Sequence, residues 1–137
     1  MGKNIEVLEV GLVRGTTYEV NPERSAITLG SGTLDVLGTP AIAIMVEQIC
    51  RGMVDPLLED GQTTVGSKLN IRHIAPTPVG DVVRLQAEVI SFEKNTIIFE
   101  VKIWDSVELV GEVNHHRVII DVDRFLKRVR IKSHQNS

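Results

Sequence analysis

Pro40-Ala41-Ile42-Ala43-Ile44-Met45-Val46-Glu47-Gln48-Ile49-Cys50 is the stretch on which the reading of this chain turns. Apolar Ile42, Met45, Val46, Ile49, Met53 and Leu57 keep helical spacing and predict a helix from Thr39 to about Leu58, stopping at Glu59-Asp60-Gly61. Thr39 suits the N-cap, and Pro40, with its fixed φ and missing N–H, suits the first helical position. A helix apolar nearly all round belongs inside a molecule. Glu47 is then the anomaly, because a carboxylate is rarely buried without a partner. Either Glu47 marks a chemical site, or the helix turns a strip toward solvent near Glu47-Gln48.

Working outward, Val10, Leu12, Tyr18 and Val20 predict a first strand from about Glu9 to Val20, followed by a turn at Asn21-Pro22-Glu23-Arg24-Ser25. Gly30-Ser31-Gly32-Thr33 reads as a loop before the helix. Beyond Gly61 the period drops to two. Val65, Leu69, Ile71 and His73 are expected on one strand face, with Lys68, Asn70 and Arg72 on the other. Val83, Leu85, Ala87 and Val89 then alternate with Arg84, Gln86 and Glu88, and Ile97, Phe99, Val101 and Ile103 with Thr96, Glu100 and Lys102. A last strand runs from about Val107 to Val122. The short links Glu93-Lys94-Asn95 and Asp105-Ser106 make an antiparallel meander of these last three strands. The expected fold is α+β: an antiparallel sheet wrapped around one long central helix, as in a hotdog fold. A sheet of this kind covers part of its helix and leaves an edge, which favours pairing with a second copy.

The chain has 137 residues, enough for one domain with a real core, placed here at about 9–123 with a basic tail over about 124–137. It is 42% apolar and 24% charged, a soluble globular composition, and its net charge of −3 offers no general attraction to nucleic acid or acidic membranes. The start, with Glu6 and Glu9 among its apolar residues, does not read as a secretory signal. No apolar run reaches the roughly 18 residues a membrane helix needs. The lone Cys50 cannot form an internal disulfide and permits a reducing cytoplasm, the expected location.

Three residues carry candidate chemistry. Thr39 at a helix N-terminus would sit beside unpaired N–H groups and the positive dipole end, where a carbonyl gaining negative charge is stabilised; alternatively it is only a cap. Glu47 lies eight residues further on, about 12 Å along the axis and about 80° round, so the two side chains cannot act in direct contact. His73 is expected on the helix-facing side of its strand, as a core residue or as an acid/base near neutral pH. His115 and His116 point to opposite faces and cannot chelate one metal together, and with a single cysteine no metal site is expected. Arg117 shares a face with His115, as an ion-pair partner or as a contact to substrate. The tail, with Arg124, Lys127, Arg128, Arg130 and Lys132 among apolar residues, reads as a terminal helix or strand with a solvated basic face, or as a contact to phosphates. No phosphate-binding glycine loop, dinucleotide motif or GxSxG elbow is present.

From about Leu12 to Val122 the chain resembles the fluoroacetyl-CoA thioesterase branch of the hotdog superfamily. The resemblance rests on Gly38-Thr39-Pro40, Glu47, Gly66, His73, Pro76-x-Pro78-x-Gly80-Asp81 and His115-x-Arg117 in shared register. It implies hydrolysis of a small or medium acyl-CoA thioester with Thr39, Glu47 and His73 catalytic. It also implies Gly66 and Arg117 at the substrate site and no cofactor beyond the coenzyme A of the substrate, while the open sheet edge points to a homodimer or larger homo-oligomer. Gly66 would let substrate approach the strand backbone, and Leu34, Leu37 and the helix methionines would line the pocket. The branch is known for an aromatic gate before the catalytic helix, but Ser31-Gly32-Thr33-Leu34-Asp35 holds no phenylalanine, so the expected substrate is a broader short-chain acyl-CoA. A non-catalytic acyl-CoA-binding or regulatory module is the alternative. A hydratase of the same fold is disfavoured, since no histidine follows an aspartate by five residues.

Overall fold

The computed structural model describes residues 6–135. Its five strands are β1 (Val13–Glu19), β2 (Gln62–His73), β3 (Val82–Glu93), β4 (Thr96–Trp104) and β5 (Leu109–Asp121). They form one antiparallel sheet in the order β1-β3-β4-β5-β2. The three helices are the four-residue α1 (Ala26–Leu29), the long α2 (Thr39–Val54) and the C-terminal α3 (Val122–Gln135). The expected meander is β3-β4-β5. The segment between His73 and Val82 carries the chain from the β2 edge of the sheet across to β3, which lies beside the other edge strand β1, so β2 pairs with β5 rather than with β3.

Period-two patterning decides which face meets α2. Val83, Leu85, Ala87 and Val89 of β3 and Ile97, Phe99, Val101 and Ile103 of β4 are fully buried. Their alternating partners Arg84, Gln86, Glu88, Glu100 and Lys102 face solvent. Against this inner face α2 presents Ala41, Ile42, Met45, Val46, Ile49, Cys50, Met53 and Val54. Burying a branched or aromatic side chain here stabilises by about 1.5–3 kcal/mol.

Three details differ from the expectations, and a fourth decides between two readings left open for Glu47. Gly38, not Thr39, is the N-cap of α2, and its backbone carbonyl accepts the first helical bonds from Ala41 and Ile42. Thr39 is therefore already helical and its hydroxyl is free for another partner. Helix α2 also ends sooner, at Val54, where Pro56 cannot continue the backbone ladder and a 3-10 turn follows over Asp55–Leu57. In β2 the register shifts between Gly66 and Lys68. This bulge puts Thr64 in the core and Val65 on the outer side, while Leu69, Ile71 and His73 keep the inward face. Finally, the helix is not covered all round. Ile44 is 52% exposed, and Glu47 and Gln48 are exposed beside it on the strip that the sheet does not reach.

The basic tail is helix α3, with no buried residue. Phe125, Leu126, Val129 and Ile131 remain exposed among its cations. Among the described residues no helix is long and apolar enough to cross a membrane.

Candidate functional site

Two clusters are built on α2, at its N-terminus and about two turns further along. At the first, Thr39 Oγ1 lies 2.8 Å from His73 Nδ1. Thr39 can make this contact because Gly38 has taken the capping position. His73 can make it because the end of β2, past the bulge, turns the ring inward. Its Nε2 is out of contact with water and has no protein partner. Burial pushes the His73 imidazole below its ordinary pKa, opposed by a hydrogen bond with the Ala75 backbone. The shift favours the neutral ring, whose Nδ1 faces the Thr39 hydroxyl. A cleft of about 240 Å³ lined by Val36, Leu37, His73, Ile74, Ala75 and Pro76 lies alongside.

At the second cluster Glu47 meets Arg117. Arg117 Nη1 lies 3.5 Å from Glu47 Oε2, with the guanidinium buried at 5% exposure and the carboxylate open at 49%. The arginine is clamped from β2: its Nε donates to Thr64 Oγ1 at 2.8 Å and its Nη2 to the Thr64 carbonyl at 3.0 Å. Thr64 in turn donates to Asp55 Oδ1 at 2.7 Å, and Thr63 to Asp55 Oδ2 at 2.7 Å. A buried cation is tolerable only when paired and hydrogen-bonded in this way. Gly66 stands against Glu47: a Cβ there would fall 2.6 Å from Glu47 Oε2 and 3.5 Å from Arg117 Nη1. The group that approaches the Gly66 backbone is therefore the chain's own carboxylate, where the sequence had pointed to substrate.

Of the expected site residues, Thr39 and His73 come together, as do Glu47, Gly66 and Arg117. Leu37, 1% exposed, lines the cleft beside His73. Leu34 is 67% exposed in the loop before α2 and does not line that cleft, while Met45 and Met53 are core residues at 1% exposure each. Sequence reasoning missed Thr64 and Asp55, because the bulge hid the inward turn of Thr64. Cys50 is buried near Arg117 and Glu47, and burial above all pushes its thiol up to about 12, Arg117 opposing and Glu47 assisting. Among the described residues no three His, Cys, Asp or Glu side chains are grouped to hold a metal ion.

An antiparallel sheet cradling one long helix is the hotdog arrangement, and similarity to known proteins places the chain among thioesterases of that fold. A sequence profile described as fluoroacetyl-CoA-specific thioesterase matches residues 20–123, and the chain belongs to that family. The fluoroacetyl-CoA thioesterase of Streptantibioticus cattleyicolor is 30% identical over 99 residues, 72% of this chain and 71% of that protein. A solved structure of the fluoroacetyl-CoA thioesterase FlK superimposes with a TM-score of 0.86 at 26% identity, covering 93% of this chain and 98% of that one. A variant of FlK in complex with fluoroacetate and CoA gives 0.81 at 26% identity, over 86% and 99% of the two chains.

Proposed function

We propose that this protein hydrolyses a small or medium acyl-CoA thioester to the free acid and CoA, at a site made by Thr39, His73 and Glu47. The observation that carries the reading is the Thr39–His73 hydrogen bond at the N-terminus of α2. A thioester carbonyl placed there would develop its negative charge against helix N–H groups, a contribution available only as the oxyanion forms. His73 exchanges protons with the attacking oxygen and the departing thiol. Glu47, held by Arg117, directs water to the carbonyl carbon or accepts the acyl group itself. Coenzyme A enters only as part of the substrate. The complex of an FlK variant with fluoroacetate and CoA supports an acyl-CoA substrate. The loop over Ser31–Asp35 contains no phenylalanine, and this supports an acyl group chosen without the aromatic gate.

Glu47 sits about 12 Å along the axis from Thr39, so we further propose that a second copy completes each site, one contributing Thr39 and His73 and the other Glu47 and Arg117. The exposed strip of Ile44, Glu47 and Gln48 supports a homodimer packed over α2. A cytoplasmic location fits the lone thiol of Cys50.

A panel of acyl-CoAs assayed for free thiol tests the reading. Turnover with at least one is expected, with losses of about 100-fold or more in Glu47→Gln and His73→Ala. Saturable binding without thiol release would replace the enzyme with an acyl-CoA-binding module. Undiminished turnover in both variants would move the chemistry elsewhere. A single turnover in ¹⁸O-water tests the acyl-acceptor role of Glu47: label in its carboxylate marks an anhydride that water opened at the Glu47 carbon.

A further inference from the structure

We infer that His115 is a positioning residue for Glu47, acting through Arg117: as a neutral imidazole it accepts a hydrogen bond from the guanidinium and holds that group in the plane that meets the carboxylate. The inference rests on the thioester-hydrolase reading for the consequence in turnover, but its geometry stands apart from it.

His115 lies on the inner face of β5 at 1% exposure, its ring stacked on Phe99 with centroids 6.1 Å apart. Arg117 Nη1 is 3.2 Å from His115 Nε2. A guanidinium can only donate, so Nε2 is the acceptor and the proton of the neutral ring sits on Nδ1. Nδ1 meets the Lys68 carbonyl at 2.8 Å and donates to it. Lys68 borders the β2 bulge, so the irregularity that brings Gly66 under Glu47 also marks where the histidine finds its anchor.

Thr64 holds Nε and Nη2 of Arg117, and His115 holds Nη1 from the remaining side. Three contacts around a planar group fix its orientation, and the Nη1 that His115 restrains is the one that reaches Glu47. The charged and titratable groups around the ring are Arg117 on its own strand, His116 on the opposite face of the sheet, and Glu47 from α2. From β2 it meets the Lys68 carbonyl, and from β4 the apolar Phe99. A proton added at Nε2 would face a guanidinium donor at 3.2 Å, setting two cations against each other. The arrangement therefore requires neutral His115.

His115→Gln and His115→Leu test this. Glutamine brings an amide donor and a carbonyl acceptor; leucine brings neither. With an acyl-CoA that the wild type turns over, His115→Leu is expected to lose about 10- to 100-fold in kcat with little change in KM, while His115→Gln recovers most of it. In ¹⁵N spectra of the wild type, His115 is expected as the neutral Nδ1–H tautomer. The Arg117 Nη1–H resonance, identified by its absence in Arg117→Lys, is expected to exchange slowly in the wild type and His115→Gln and to vanish in His115→Leu. Wild-type kcat in a folded His115→Leu, or equal losses in both variants, would overturn the proposal. So would a charged or Nε2–H imidazole in the wild type at neutral pH, a result that needs no variant to fold. If the wild type hydrolyses none of the acyl-CoAs, the reading of function fails. The arginine resonance then decides the positioning claim by itself, persistence in His115→Leu overturning it and loss supporting it.

Discussion

Gly66 illustrates how one residue type sets the chemistry of its neighbours. The obstacle to a larger residue is Glu47 Oε2, the end of a flexible side chain, and not backbone. Gly66→Ala should therefore leave the fold nearly intact while swinging the carboxylate away from Arg117. The expected outcome is a loss of about 10- to 100-fold in kcat, with a thermal midpoint within a few degrees of wild type. A large drop in the midpoint, or unchanged kcat, would show that the close approach has no bearing on turnover. Cys50 gives a second check at this scale. Its thiol is fully buried and pushed up to about 12, so it should be inert to a thiol reagent such as DTNB at pH 8 until denaturant exposes it. Fast reaction in the native protein would mean that the core around Glu47 and Arg117 opens readily.

Among the elements, α3 and α2 show opposite relations between sequence and packing. Helix α3 buries no side chain and meets the domain mainly at the end of β5, where the Val122 N–H donates to the Gly61 carbonyl. Deleting 124–137 should change unfolding free energy by less than about 1 kcal/mol, since surface changes away from packed features cost little. Urea midpoints of the two forms measure it. Helix α2, by contrast, carries the core, and the spacing of Ile42, Met45, Val46, Ile49 and Met53 revealed it directly. The two alternating runs of β3 and β4 were equally legible, because one wet face and one dry face leave a period-two signature. The site was legible only in part. Period two placed His73 inward and put His115 and Arg117 on one shared face, but a bulge has no such signature, so Val65 was put on the wrong face and Thr64 was overlooked. Glu47 looked buried because, Gln48 apart, its neighbours from Pro40 to Cys50 are all apolar. Only the sheet's reach decides that Ile44, Glu47 and Gln48 stay outside.

At the scale of the whole molecule, the two inward histidines couple stability to pH. Burial is the main cause of the lowered pKa at both. At His73 the Ala75 backbone opposes it; at His115 the Lys68 carbonyl and Glu47 oppose it while Arg117 and His116 reinforce it. Unfolding returns each ring to an ordinary value of about 6.5. Above that value both states are neutral and the histidines add no slope. As pH falls below it, the unfolded chain takes up protons that the folded chain refuses, so stability falls, and the fall levels off only below the folded-state pKa values. The carboxyls of Asp81 and Asp105 shift the other way. At Asp81 hydrogen bonds from Val82 and Ser106 lower the pKa; at Asp105 burial raises it but hydrogen bonds from Val107, Glu108 and Thr77 prevail. Their contribution is lost only as pH drops below about 4, outside the histidine window. Urea midpoints taken from pH 8 to pH 5 should therefore be flat at first and then decline below about pH 6.5. The double variant His73→Gln/His115→Gln should remove most of that decline while leaving the loss below pH 4 in place. An equal decline in the double variant would assign the acid sensitivity to groups outside both clusters, and a wild-type midpoint that rises on acidification would reverse the sign of the burial effect.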